Sequence, residues 1–177
     1  MHRPVGTYGE MKVTQPELCE DFDEAVGRYD SGYYAEKLEQ GLIFQDVVTK
    51  ELYQRGIVLV GYASRCFQNS EGENMLGAEI KRDGNFRKTG NLYIETAEKS
   101  HPNNPRYIPS GIMRNDNSWL FVIGDELTVY IFSTKYLRML IANRDWEKKV
   151  KATSIATLMP LDQAEKYCIR KIDMETK

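Results

Sequence analysis

The chain is poor in the residue types on which several common chemistries rest. It has three cysteines, Cys19, Cys66 and Cys168, widely separated and without a Cys-x-x-Cys pair or a Cys/His cluster. That argues against a zinc centre and suits a reducing compartment. Histidine is scarcer still: His2 and His101 both stand beside loop-like residues, and His101 is a minor candidate for a general base. No apolar run approaches the roughly 18 residues that cross a bilayer, and no charged start leads into an apolar signal core. A cytoplasmic protein without membrane contact is expected. Charge of one sign is also missing. Lys+Arg 24 against Asp+Glu 26 leave a formal charge of −2, so no global basic surface marks a protein that coats nucleic acid.

What is present suffices for one packed unit. The 177 residues, 41% hydrophobic and 28% charged, suit one ordinary domain rather than two. Residues 1–29 read as an irregular acidic arm with Glu17, Glu20, Asp21, Asp23 and Glu24 close together, and 30–177 as a single α/β domain. From Tyr33 to Arg55, Leu38, Leu42, Gln45, Val48 and Leu52 recur at helical spacing, with Ile43 and Val47 widening the stripe. Gly56 stops that helix.

Ile57–Ala63 lacks alternation and reads as a strand buried on both faces. Strands are expected at Glu73–Asp83 and Asn91–Ala97, a proline-rich loop at 100–111, and a hairpin joining Trp119–Ile123 to Leu127–Phe132. A helix over Thr134–Lys149, a strand over Thr153–Met159 and a helix over Leu161–Lys171 finish the chain. The expected fold class is α/β, a central mixed sheet flanked by helices.

The most informative stretch runs from Gly77 to Glu95. Glu79, Lys81 and Asp83 share one side of a strand, and Asn91, Tyr93 and Glu95 share one side of the next. A hairpin closed symmetrically over Gly84–Gly90 sets Glu79 opposite Glu95 and Lys81 opposite Tyr93. Two carboxylates that close repel unless a proton, a lysine or a divalent cation lies between them. Glu-x-Lys supplies an oxygen ligand and a positive charge in one step, which suits metal-assisted phosphodiester hydrolysis. Basic residues lie beside it at Lys81, Arg82, Arg87 and Lys88. The bland alternative is a set of cross-strand ion pairs on a solvated sheet face. Trp119 opens an apolar strand and reads as core rather than as a base-stacking platform. Pro109-Ser110-Gly111 reads equally as a tight turn or as a loop whose backbone meets a phosphate.

Glu79-Ile-Lys81-x-Asp83, then Thr89-Gly90-Asn91-x-x-Ile94-Glu95, then Pro109-Ser110-Gly111-Ile112 and Trp119, resembles the PD-(D/E)xK or restriction-endonuclease-like nucleases. It is most similar to a branch of uncharacterised endonucleases found in phages and bacterial genomes. The resemblance covers roughly Gly41 to Phe132. It implies a mixed sheet flanked by helices, Mg²⁺ or Mn²⁺ held by carboxylates, and hydrolysis of DNA. It further implies Glu79 as the metal-binding acid, Lys81 as the group that orients the attacking water, and Asp83 and Glu95 as flanking acids. A homodimer is common among nucleases that cut both strands.

The departure is upstream, where the family's aspartate is missing. Glu73 is the nearest substitute of matching strand parity. Six residues of straight strand span about 20 Å, so Glu73 reaches the site only if the chain bends near Gly77. The expected catalytic residues are Glu79, Lys81 and Glu95, with metal-binding acids drawn from Glu73, Glu79, Asp83 and Glu95.

Overall fold

The computed structural model describes residues 32–59 and 77–174. The acidic arm, most of the strand predicted at Ile57–Ala63, and Glu73 lie outside the described residues. Within them the chain is mixed α/β. Helix α1 is Gly32–Gln54, followed by β1 Ala78–Arg82, the short α2 Phe86–Thr89, β2 Asn91–Glu98 and β3 Ile108–Pro109. A 3₁₀ turn at Gly111–Met113 leads to β4 Leu120–Gly124 and β5 Thr128–Ser133. Helix α3 Thr134–Asn143, β6 Lys148–Val150, β7 Ser154–Pro160, α4 Leu161–Tyr167 and β8 Arg170–Asp173 complete it.

The strands form two four-stranded sheets, where one central sheet is expected from the sequence. The first has the order β1-β4-β5-β8 and is mixed, with β1 parallel to β4 and the other pairs antiparallel. The second, β3-β2-β7-β6, is antiparallel throughout. The first sheet is covered on both faces. On one, Ile80, Val122, Val129, Ile131 and Ile172 pack against Phe44, Val48 and Leu52 of α1. On the other, Phe121, Ile123, Tyr130 and Phe132 meet Leu92, Ile94 and Met159 of the second sheet and Leu137 of α3. Each such side chain contributes about 1.5–3 kcal/mol by leaving water.

Several sequence expectations need correction. The hairpin between β1 and β2 does not form: β1 pairs with β4, β2 pairs with β7, and α2 stands between them. Burial favours this pairing, because it packs Ala78 and Ile80 of β1 into the core beneath α1. Phe86 completes the separation, being buried in the core between the sheets. The apolar stripe of α1 is also shifted. Phe44, Val48 and Leu52 are buried, whereas Leu38, Leu42, Ile43 and Val47 are exposed. The helix does end where Gly56 adopts a left-handed conformation (φ 81°).

Two helices are shorter than expected. α3 stops at Asn143, with Arg144 in extended backbone, and Lys148–Val150 pairs with Ile155–Thr157 instead. Most side chains from Arg144 to Val150 are exposed and would give a continued helix little to bury, whereas a strand satisfies the edge of β7. α4 stops at Tyr167, and Arg170–Asp173 becomes β8, which places Ile172 beside Val129 in the core. Trp119, expected in the core, is 56% exposed.

Candidate functional site

The register of the first sheet orients the Glu-x-Lys unit. Glu79 lies beside Phe121 and Lys81 beside Ile123, so both share the face turned toward the second sheet. Among the described residues β1 lies at the edge of its sheet. The unit therefore sits where the first sheet's edge adjoins β2.

Glu79 is 2% exposed, and the Lys81 ammonium lies 2.9 Å from its Oε1. The contact is Coulombic rather than directional, because Oε1 is buried and has no hydrogen bond of proper geometry. Glu95 reaches the same place from β2. Its carboxyl is pushed above the usual glutamate range, first by burial. The Ser110 hydroxyl opposes that rise, Glu98 adds to it, Lys81 opposes it, and Glu79 adds to it. Glu79, Lys81 and Glu95 are thus within electrostatic reach of one another, as the sequence suggests, but by a different route. They meet through the packing of two sheets, not across a ladder.

Two local devices hold Glu95. Ser110 donates its hydroxyl to Glu95 Oε1 at 2.8 Å. The register between β2 and β7 shifts between Glu95 and Ala97, a bulge at Thr96 that re-aims the strand directly after the acid. The Thr96 carbonyl accepts from Ser110 N–H. Gly111 follows at φ 51°, and a Cβ there would stand 2.5 Å from the Glu95 carbonyl oxygen. Pro109-Ser110-Gly111 is therefore neither a free turn nor a free phosphate loop. It is a brace behind Glu95, and Ile112 anchors it in the core.

Asp83 has a different job. Its Oδ1 accepts from Asn85 N–H at 3.0 Å and its Oδ2 from Tyr93 N–H at 2.8 Å, which ties the end of β1 to the free edge of β2. Thr89-Gly90-Asn91 is the turn between α2 and β2: Gly90 is left-handed (φ 72°), and the Asn91 side chain donates to the Thr89 carbonyl. Gly77 (φ 67°) lies under Trp119, whose Cδ1 would be 2.8 Å from an added Cβ. His101 is exposed in the loop, its Nδ1 accepting from Asn103 N–H.

Lys81 and Glu95 line an open cavity of about 480 Å³ whose walls also include Lys37, Arg82, Tyr93 and Gly111, while Glu79 is buried against the Lys81 ammonium. Lys37 comes from α1, and nothing in its local sequence marks it; only the docking of α1 on β1 brings it there. Ser110 was within the quoted motif, but its partner could not be read from spacing. Among the described residues no three His, Cys, Asp or Glu side chains form a group able to hold a metal ion. Comparison with protein-family models, curated proteins and solved structures finds no match. Among the described residues no helix is long and apolar enough to cross a membrane.

Proposed function

We propose that this protein is a metal-dependent endonuclease that hydrolyses DNA phosphodiester bonds on a restriction-endonuclease-like framework. The observation that carries this reading is that Lys81, paired with the buried Glu79, shares the walls of one open cavity with Glu95. Carboxylate oxygens are the donors that Mg²⁺ and Mn²⁺ prefer. Glu79 Oε1 is buried and lies 2.9 Å from the Lys81 ammonium, so a bound ion would share that oxygen with the lysine. Glu79 and Glu95 would hold the ion, with Glu73 as the further ligand that the sequence offers, since both Asp83 oxygens accept backbone N–H groups. The bound cation would polarise the scissile phosphate and acidify a water.

The remaining work belongs to the chain itself. Lys81 holds the attacking water in line and offsets charge on the phosphate. Ser110 fixes the Glu95 carboxylate and favours its ionised form, which is the form that binds a cation. Lys37 and Arg82, the latter also paired with Glu126 at 2.6 Å, would meet a phosphodiester strand from the cavity wall. DNA is the proposed partner, and a homodimer the arrangement that cuts both strands.

The test is cleavage of plasmid, single-stranded and branched DNA in EDTA, Mg²⁺ or Mn²⁺, with Glu79→Gln beside wild type. Metal-dependent cutting that disappears in the variant is expected. Equal cutting by both proteins would overturn the assignment. A second reading, a nuclease-like fold that binds nucleic acid or protein without catalysis, draws on one observation: both oxygens of Asp83 already accept backbone N–H groups. DNA binding without turnover or metal dependence would favour it.

A further inference from the structure

Glu95 also borders a second cavity, of about 410 Å³, whose walls carry Glu98, Lys99, Ile108, Thr153 and Ser154. We propose that this second cavity is a nucleoside subsite. It takes the base and sugar of an unpaired nucleotide next to the phosphate held in the first cavity beside Glu95, an assignment that rests on the nuclease reading above.

The walls are mixed in the way a nucleoside is mixed. Ile108, 60% exposed, offers an apolar face to a base. The Glu98 carboxylate and the hydroxyls of Thr153 and Ser154 offer acceptors and donors to a base edge and a sugar. A bare phosphate is poorly served there. Glu95 and Glu98 both line the cavity, and Glu98 already hinders ionisation of Glu95. The Lys99 ammonium is turned to the carbonyls of Pro102 (2.7 Å) and Asn104 (3.1 Å) and lies over the Tyr107 ring.

The two sides of Glu95 thus differ in chemistry. Lys37, Lys81 and Arg82 line the first cavity, which suits phosphate. Tyr93, a wall of the first cavity, joins it to the second through a 2.8 Å hydrogen bond with Ser154, and the Lys151 ammonium lies 4.1 Å from the centre of the Tyr93 ring. Because the cavities meet at the Glu95 carboxylate, a strand whose phosphate sits in the first delivers the adjoining nucleoside to the second. A base seated there has left its pairing partner.

The test is fluorescence anisotropy of 5′-fluorescein-labelled decathymidylate in Ca²⁺, with the cleavage assay run in parallel. Wild type is compared with Thr153→Trp, which fills the cavity from an exposed position, and Ile108→Ala, which removes the apolar wall. The Kd should rise about tenfold in the first and about threefold in the second, with circular dichroism unchanged. Wild-type affinity in both variants would overturn the subsite and leave the nuclease reading standing. Cleavage of duplex by a protein that ignores decathymidylate would overturn it too. Absence of both binding and cleavage in folded wild type would overturn the nuclease reading, and the subsite with it.

Discussion

Ser110 and Glu95 stand fifteen residues apart in sequence and 2.8 Å apart in space, the hydroxyl donating to the carboxylate. The bond opposes the rise that burial imposes on the Glu95 pKa. Ser110→Ala should therefore move the Glu95 titration further upward. The acid limb of metal-dependent cleavage should move to higher pH with it, while Ser110→Thr should restore part of the wild-type profile. A carboxyl-labelled NMR titration checks the same shift without activity.

Glu95 also sets a trade between stability and function. Its folded pKa lies above the unfolded value of about 4.5, so the folded state holds the proton more tightly. Stability from this group is present at low pH and lost as pH rises through the folded pKa. Glu95→Gln should abolish cleavage yet raise stability at neutral pH, by at most about 1 kcal/mol, or roughly 2–4 °C in Tm. Thermal unfolding at acid and neutral pH decides it, since the gain should vanish in acid.

Glu79 and Lys81 should be energetically coupled. Lys81→Met leaves the buried Glu79 carboxylate without the ammonium and should cost about 1–3 kcal/mol. The Glu79→Gln/Lys81→Met double variant should cost less than the sum of the single changes. A urea-unfolding double-mutant cycle measures the difference. Additive losses would assign the pair no mutual stabilisation.

Two glycines separate site from scaffold. Gly111→Ala puts a Cβ against the Glu95 carbonyl, and Gly124→Ala puts one against the Thr128 carbonyl oxygen. Both should destabilise by about 1–3 kcal/mol or more. Only Gly111→Ala should also lower kcat at temperatures where the protein remains folded, because only that residue abuts Glu95. Cleavage rates beside melting curves distinguish the two.

Asp125 predicts the acid limit. Burial opposes its ionisation, but the Arg87 guanidinium and the N–H groups of Leu127 and Thr128 outweigh that and hold its pKa below the ordinary value of 3.8. Its contribution to stability is present above that value and lost as pH falls through the lowered one. Asp125→Asn should flatten the decline in Tm below about pH 4, read by calorimetry across that range.

Local patterns in the sequence determined the elements that depend on neighbours in the chain. The helix ending before Gly56, the strands around Ile80 and Ile94, and the β4–β5 hairpin follow from periodicity and turn chemistry, which act within a few residues. The candidate acids and lysine were legible for the same reason, since Glu79 and Lys81 share a face by the pleat alone.

Tertiary structure decided their company. No local rule tells β1 to pair with β4 rather than β2, or turns Lys148–Val150 and Arg170–Asp173 from helix into edge strands. Those choices depend on which distant surfaces need covering and which sheet edges need hydrogen bonds. The same long-range packing brings Lys37 and Ser110 to the site, and it carries Glu95 to Glu79 from a separate sheet.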